Sequence, residues 1–245
     1  MTSDTSHLRT RFRWVICLII FSATAIIYMD RQILSLLKPM LEQKFLSLIH
    51  IYTGGTTVNG GTLTVNTGGT LGTGGALAVN AGATLSLNTN VTVGAVTLDG
   101  GAISGTGTLT GTSYTSTGGT ISANLGDSGA GSTFTTTSGT TTLSGANSYT
   151  GATTVSGGEL IITSNLTSSA SVTIASGATL DLTGATVSTP GTITNNGTLV
   201  LGPAVTLNSA STLINNGTLD LTNDPTFVLP ANFVNNCLLY TSRCV

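Results

Sequence analysis

Between Tyr52 and Asn236 the chain has no lysine, arginine, histidine or cysteine. Those absences remove most of the usual material of a chemical site. The only formal charges of the stretch are the six carboxylates of Asp99, Asp127, Glu159, Asp181, Asp220 and Asp224, so its net charge is −6 and it repels a phosphate backbone. No nucleic acid is expected as a partner. Cys17, Cys237 and Cys244 all lie outside the stretch, which excludes a disulfide framework or a zinc cluster within it. What remains for catalysis is six scattered carboxylates and many serine and threonine hydroxyls.

Charge is scarce throughout: 7% of the 245 residues are charged, whereas 32 are glycine and 40% are hydrophobic. Neither an ordinary globular enzyme nor a disordered polymer has that balance. The average conceals a divided chain. Every lysine and arginine except Arg243 lies at or before Lys44, and His7 and His50 both precede Tyr52.

The first 45 residues read as a separate unit. A basic lead-in, HLRTRFR, is followed by the apolar run WVICLIIFSATAIIYM from Trp14 to Met29. One reading is a secretory signal, with Ala23-Thr24-Ala25 as a small-residue cleavage site. The other, which is preferred, is one apolar transmembrane helix over Trp14 to Leu37, because apolar character resumes after Asp30, Arg31 and Gln32. The stretch RWVICLIIFSATAIIYMDRQILSLLKPMLEQKF, with Tyr28 to Gln32 closing its first helix, resembles the start of a major facilitator superfamily transporter. The resemblance covers residues 8–45 and implies proton-coupled import of organic anions at the inner membrane. The further helices that such a transporter needs are missing from the sequence.

Two short segments read as translated oligonucleotide. LSLIHI, residues 46–51, and CLLYTSRCV, residues 237–245, back-translate to one shared string, CTGTCTCTTATACACATCT, in two frames. That string resembles a transposon end used to prepare sequencing libraries. The codons of Tyr52 and Asn236 keep both phases intact. The expectation is therefore a chimera: residues 1–45 transporter-like, 46–51 an adapter-like scar, 52–236 a repeat region, and 237–245 a second scar, both scars being left out of the fold.

In the repeat region, Thr, Val, Leu and Ile alternate with small polar residues and are punctuated by Gly-Gly, Asn-Gly and Ser-Gly, which predicts short strands and tight turns. No helical period is present. Tyr52 to Val65, YTGGTTVNGGTLTV, matches Tyr149 to Ile162, YTGATTVSGGELII, at nine of fourteen positions. Later, Ile193-Thr-Asn-Asn, Leu213-Ile-Asn-Asn and Phe233-Val-Asn-Asn recur every twenty residues. A fixed repeat of that length predicts a parallel β-helix, or β-solenoid, of about 20-residue rungs.

In such a coil Leu199, Leu201, Leu219 and Leu221 stack inward, and the recurrent asparagines bond amide to amide from rung to rung. Gly197 and Gly217 are expected to complete the bend, and Cys237 stands where a third glycine is due, as if the repeat were cut in mid-rung. The unit resembles the autotransporter-associated β-strand repeat, most fully over Leu143 to Asn165. That resemblance implies a secreted passenger exposed on the outer surface of a Gram-negative-type bacterium, whose complete parent carries a secretion signal and a C-terminal β-barrel.

Asp181 and Asp220 each lie in Leu-Asp-Leu, so strand alternation points them outward as solvated carboxylates. A glycosidase-like pair is the sharper alternative, because parallel β-helices host polysaccharide-cleaving sites. Gly105-Thr-Gly107 lacks the lysine of a phosphate loop, and Gly126-Asp127 lacks the nonapeptide calcium pattern. Tyr114, Phe134 and Tyr149 are either glycan-stacking platforms or core residues. No catalytic, cofactor-binding or metal residue is singled out, and no cofactor is expected. The reading is a non-catalytic structural or adhesive rod. Its partners are host or environmental glycans or surface proteins, joined to a membrane only through Trp14 to Leu37.

Overall fold

The structure is a computed structural model that describes residues 54–129, 131–166, 170–187, 191–207, 210–224 and 226–237. Every pairing between its strands is parallel, and every pairing joins one coil to the next. The chain winds as a β-solenoid.

Three faces make up each coil. The first runs from Thr56–Val58 through ten successive strands to Asn232–Asn235, and the second runs from Gly61–Val65 to Thr218–Asp220. A third, fragmentary face holds Val91–Thr92, Thr108–Gly111 and Asn124–Asp127, then Asn165–Leu166 and Thr186–Val187. Ten rungs at about 4.8 Å make this solenoid roughly 43 Å long. In the last three rungs Thr192 pairs with Thr212 and Thr212 with Asn232, the twenty-residue step the sequence predicts.

Alternation along each strand puts every second side chain inside. On the second face Leu160, Leu180, Leu199 and Leu219 stand directly above one another, none more than 2% exposed. Leu182 and Leu201 form a parallel stack, whereas Leu221 is only partly buried. Each buried Leu contributes about 1.5–3 kcal/mol. Two strands, Ala95–Gly105 and Ser113–Ile121, run around the corner between the first two faces without a break, with a bulge at the Gly100-Gly101 and Gly118-Gly119 pairs. They merge both faces into one sheet.

An inward column of the first face changes character along the rod. It begins as Val58, Val79 and Leu98, turns polar at Ser116 and Thr136, returns to Val155 and Ile174, and ends at Asn195, Asn215 and the exposed Asn235. Asn195 and Asn215 are fully buried, and their amides chain together: Asn195 donates to Asn215 at 2.8 Å and Asn215 to Asn235 at 2.9 Å. A second row lies outside. There Asn236 donates to Asn216 at 2.7 Å and Asn216 to Asn196 at 2.8 Å, so the two rows run in opposite directions.

Glycine serves two separate needs. Gly61 and Gly158 occupy equivalent places in the two copies of the sequence unit and have nearly the same left-handed backbone, φ 68° and 67°. Gly197 and Gly217 do not. Their backbones lie outside the left-handed region, and a β-carbon at Gly217 would stand 2.2 Å from the carbonyl oxygen of Gly197. The expected role of these two in bending the chain is thus corrected: they are glycine because consecutive rungs touch there.

The fold itself also needs one correction. The described residues contain strands and turns but no helix, and none is long and apolar enough to cross a membrane. The physical reason lies in the two-residue alternation, which breaks apolar runs far short of the roughly 20 residues a spanning helix takes. Among the described residues the architecture is therefore an all-β solenoid, with no apolar helix in it. The helix expected over Trp14 to Leu37 and the transporter resemblance of residues 8–45 lie outside the described residues. The membrane anchoring and inner-membrane location that depended on them are withdrawn, as is a transmembrane fragment as part of this fold.

Candidate functional site

All six carboxylates of the repeat region meet a threonine hydroxyl. Thr183 donates to Asp181 through its backbone N–H at 2.8 Å and its hydroxyl at 2.7 Å; Thr222 does the same for Asp220, and Thr226 for Asp224. The motif is Asp-x-Thr, a side-chain turn that closes the end of a strand at Asp181 and Asp220 and stands outside the strands at Asp224. Thr117 donates to Asp99 and Thr140 to Glu159 across rungs. These are structural ties, and Asp181 and Asp220 stay partly exposed, as alternation predicts.

Asp127 has the densest set of donors. Its Oδ1 accepts from the N–H groups of Gly129, Gly131 and Ser132 and from the Ser132 hydroxyl, at 2.9–3.2 Å. Its Oδ2 accepts from the N–H and the hydroxyl of Thr150, one rung on. The Thr150 hydroxyl, followed by the Ser132 N–H, holds this carboxyl well below the usual carboxylate range. A carboxylate ringed by donors offers no carbonyl oxygens to a cation, so the turn at Gly126-Asp127 works as a clamp between rungs. Among the described residues no three of His, Cys, Asp and Glu come together.

Tyr114, Phe134 and Tyr149 are core residues, each at most 1% exposed. Their ring centroids lie 6.0–6.3 Å apart, so they stack on one another and not on a sugar. The register places Tyr114 under Phe134 and Phe134 under Thr153, whose small side chain leaves room for the ring of Tyr149. The Tyr114 hydroxyl accepts from the Gly111 N–H at 2.7 Å and shares its proton between the carbonyls of Leu109 and Gly126, both at 2.8 Å. The Tyr149 hydroxyl meets that of Thr153 at 3.0 Å. Burial pushes both phenols up to about 12.

Two features offer a surface to another molecule. The first is a column of threonines on the outer side of the first face: Thr97, Thr115, Thr135, Thr154, Thr173 and Thr194 stand in register over six rungs, none of them buried. The second is a cleft of about 420 Å³ between residues 203–207 and residues 226–231, with Asp224 in its lining. Threonine alternation made the column foreseeable. The cleft was not, because it forms where the chain leaves the strand pattern around Pro203 and Pro230.

The sequence model of the passenger-associated-transport-repeat family matches residues 48–65 and 138–162. Both matched stretches end on a strand of the second face, Gly61–Val65 and Glu159–Ile162, each preceded by a strand of the first, so the repeat corresponds to the same arc of a rung. The first match begins inside the 46–51 segment that reads as translated oligonucleotide. No curated protein and no solved structure matches the chain.

Proposed function

We propose that the solenoid is a non-catalytic, surface-exposed rod of an autotransporter-type secreted bacterial protein, which carries adhesive contacts on its repeated faces. The observation that carries this reading is the threonine column of the first face, set on a repeat unit similar to a passenger-associated family. A hydroxyl and a methyl recur at every rung, about 4.8 Å apart, on a strand ladder that fixes their spacing. One such group binds weakly. Many in register bind by multivalency, and the rigid scaffold removes the ordering cost that a flexible chain would incur. Glycans or host surface proteins, both rich in hydrogen-bonding groups, are the matching partners.

The test is retention of chain-coated beads on glycan-bearing and cell surfaces as the coating density is varied. A steep rise of retention with density, blocked by multivalent but not by monovalent competitor, is the expected result. Retention no greater than that of albumin-coated beads would leave a spacer without adhesion. Release of reducing sugar from polysaccharide by the soluble chain would replace the rod with an enzyme.

A further inference from the structure

Asp224 is the one buried carboxylate among the described residues, at 6% exposure. Its two hydrogen bonds, from the N–H and hydroxyl of Thr226, both end on Oδ1. Its Oδ2 is not sealed in: it stays open to solvent where Asp224 lines the cleft, so a cation can meet it there. The described residues supply no cation, because no Lys, Arg or His occurs between Tyr52 and Asn236. A cation that pairs with this oxygen therefore comes from another molecule.

The surroundings say what kind. Asp224 lines the 420 Å³ cleft together with Val205, Leu207, Phe227, Val228 and Leu229. Val228 is 81% exposed and Leu229 36%, so an apolar rim faces the solvent beside a carboxylate that opens into the cleft. A metal ion fits poorly, since Asp224 has no second carboxylate or histidine in a ligating cluster. A group with a methylene stem and a compact charged head fits both parts, and among side chains that is lysine, which lays its stem on apolar surface while its ammonium finds a carboxylate. The volume lies within the range of about 300–1,000 Å³ typical of ligand pockets. The −6 charge of the repeat region draws a basic partner toward it.

We propose that the cleft between residues 203–207 and 226–231 seats a lysine side chain of a protein partner, with its butyl stem against Val205, Leu207 and Phe227 and its ammonium at the Asp224 carboxylate. This site is separate from the threonine column and does not depend on the adhesive reading of the repeated faces.

Two probe peptides test it against the full chain, acetyl-Leu-Lys-Leu-amide and acetyl-Leu-norleucine-Leu-amide, which share the stem and differ in the ammonium. Binding is read from the methyl resonances of Val205, Val228 and Leu229. The lysine peptide is expected to shift them at a concentration roughly tenfold lower than the norleucine peptide, a preference worth about 1.4 kcal/mol. Asp224→Asn keeps an Oδ1 acceptor for Thr226 and is expected to abolish that preference while leaving the far-ultraviolet circular dichroism unchanged. Equal binding of the two peptides, no shift with either, or an undiminished preference in a folded D224N chain would each overturn the proposal. The peptide pair needs no variant, so a D224N chain that fails to fold still leaves a decisive comparison.

Discussion

Asn195 donates its side-chain amide to the side-chain oxygen of Asn215 across 2.8 Å, and both residues are fully buried in a column that holds Val155 and Ile174 two and one rungs earlier. Amides and aliphatic groups thus alternate as solutions to one packing position. A buried amide is tolerated there only because each neighbour supplies its partner: Asn195 also donates to the Thr218 carbonyl at 2.7 Å, and Asn215 to that of Gly217 at 3.1 Å.

Cutting the row should therefore cost more than removing it. Asn215→Ala strands one donor of the buried Asn195 and is expected to destabilise the solenoid by about 2–4 kcal/mol. The triple variant N195L/N215L/N235L converts the column to the aliphatic kind found upstream and should lose less than the single alanine variant. Denaturant titration of both chains decides it: a triple variant less stable than N215A would show that the row does more than satisfy itself.

The two classes of glycine predict different penalties. Gly61→Ala places a β-carbon in open space on a left-handed backbone and should cost about 1–2 kcal/mol. Gly217→Ala drives a β-carbon into the carbonyl oxygen of Gly197 and forces two rungs apart, so its loss should exceed that of G61A. Comparing the two melting temperatures in parallel is enough, and equal shifts would contradict the distinction.

Acid should loosen the rod at Asp127. Its folded carboxyl titrates below its ordinary value of 3.8, so the stability it confers is complete above that pH and is lost as pH falls below it, toward the depressed folded value. Asp127→Asn should flatten that part of the melting-temperature profile and lower stability at neutral pH, because an amide accepts less strongly from Ser132 and Thr150. An unchanged acid profile in D127N would place the effect at another carboxylate.

Alkali acts on the core in the opposite sense. Tyr114 and Tyr149 are raised to about 12 from an ordinary 10.0, so their contribution is complete below pH 10 and is lost as pH rises from 10 to 12. Tyrosinate absorbance should thus appear late and together with unfolding. Tyr114→Phe leaves the Gly111 N–H without its acceptor and is expected to cost about 1–3 kcal/mol at neutral pH. Early titration of both phenols in a chain that stays folded would mean they are reached by water.

Much of this was legible in the sequence and some was not, for identifiable reasons. The twenty-residue spacing of Ile193, Leu213 and Phe233 gave the rung, because parallel stacking brings equivalent residues together and repetition is what one-dimensional packing selects. The spacing of Asn195 and Asn215 predicts an amide ladder at a repeated turn, but the structure sets both at strand ends and buries them, because strand register and not the repeat decides which side faces in. The Asp-x-Thr spacing at Asp181 and Asp220 is plain in the chain, but strand alternation says only that these carboxylates face outward and not that each accepts from the threonine two residues on. Asp224 gave no sign at all: its burial comes from segments 203–207 and 226–231 meeting across the rung, which no local pattern encodes.

The opposed asparagine rows also bear on how long such a structure can grow. An α-helix aligns its peptide dipoles and gathers partial charge of opposite sign at its two ends, whereas a sheet keeps almost no net dipole. Side-chain amides stacked in one direction would reintroduce that polarity, rung by rung. Here the inward row of Asn195, Asn215 and the exposed Asn235 and the outer row of Asn196, Asn216 and Asn236 donate in opposite senses along the axis, and their moments offset. A rung added to this stretch brings two amides that compensate each other, whereas Asn80 and Asn88 both donate toward the earlier rung, to Asn59 and Asn66, so the balance belongs to the last three rungs and not to the whole rod.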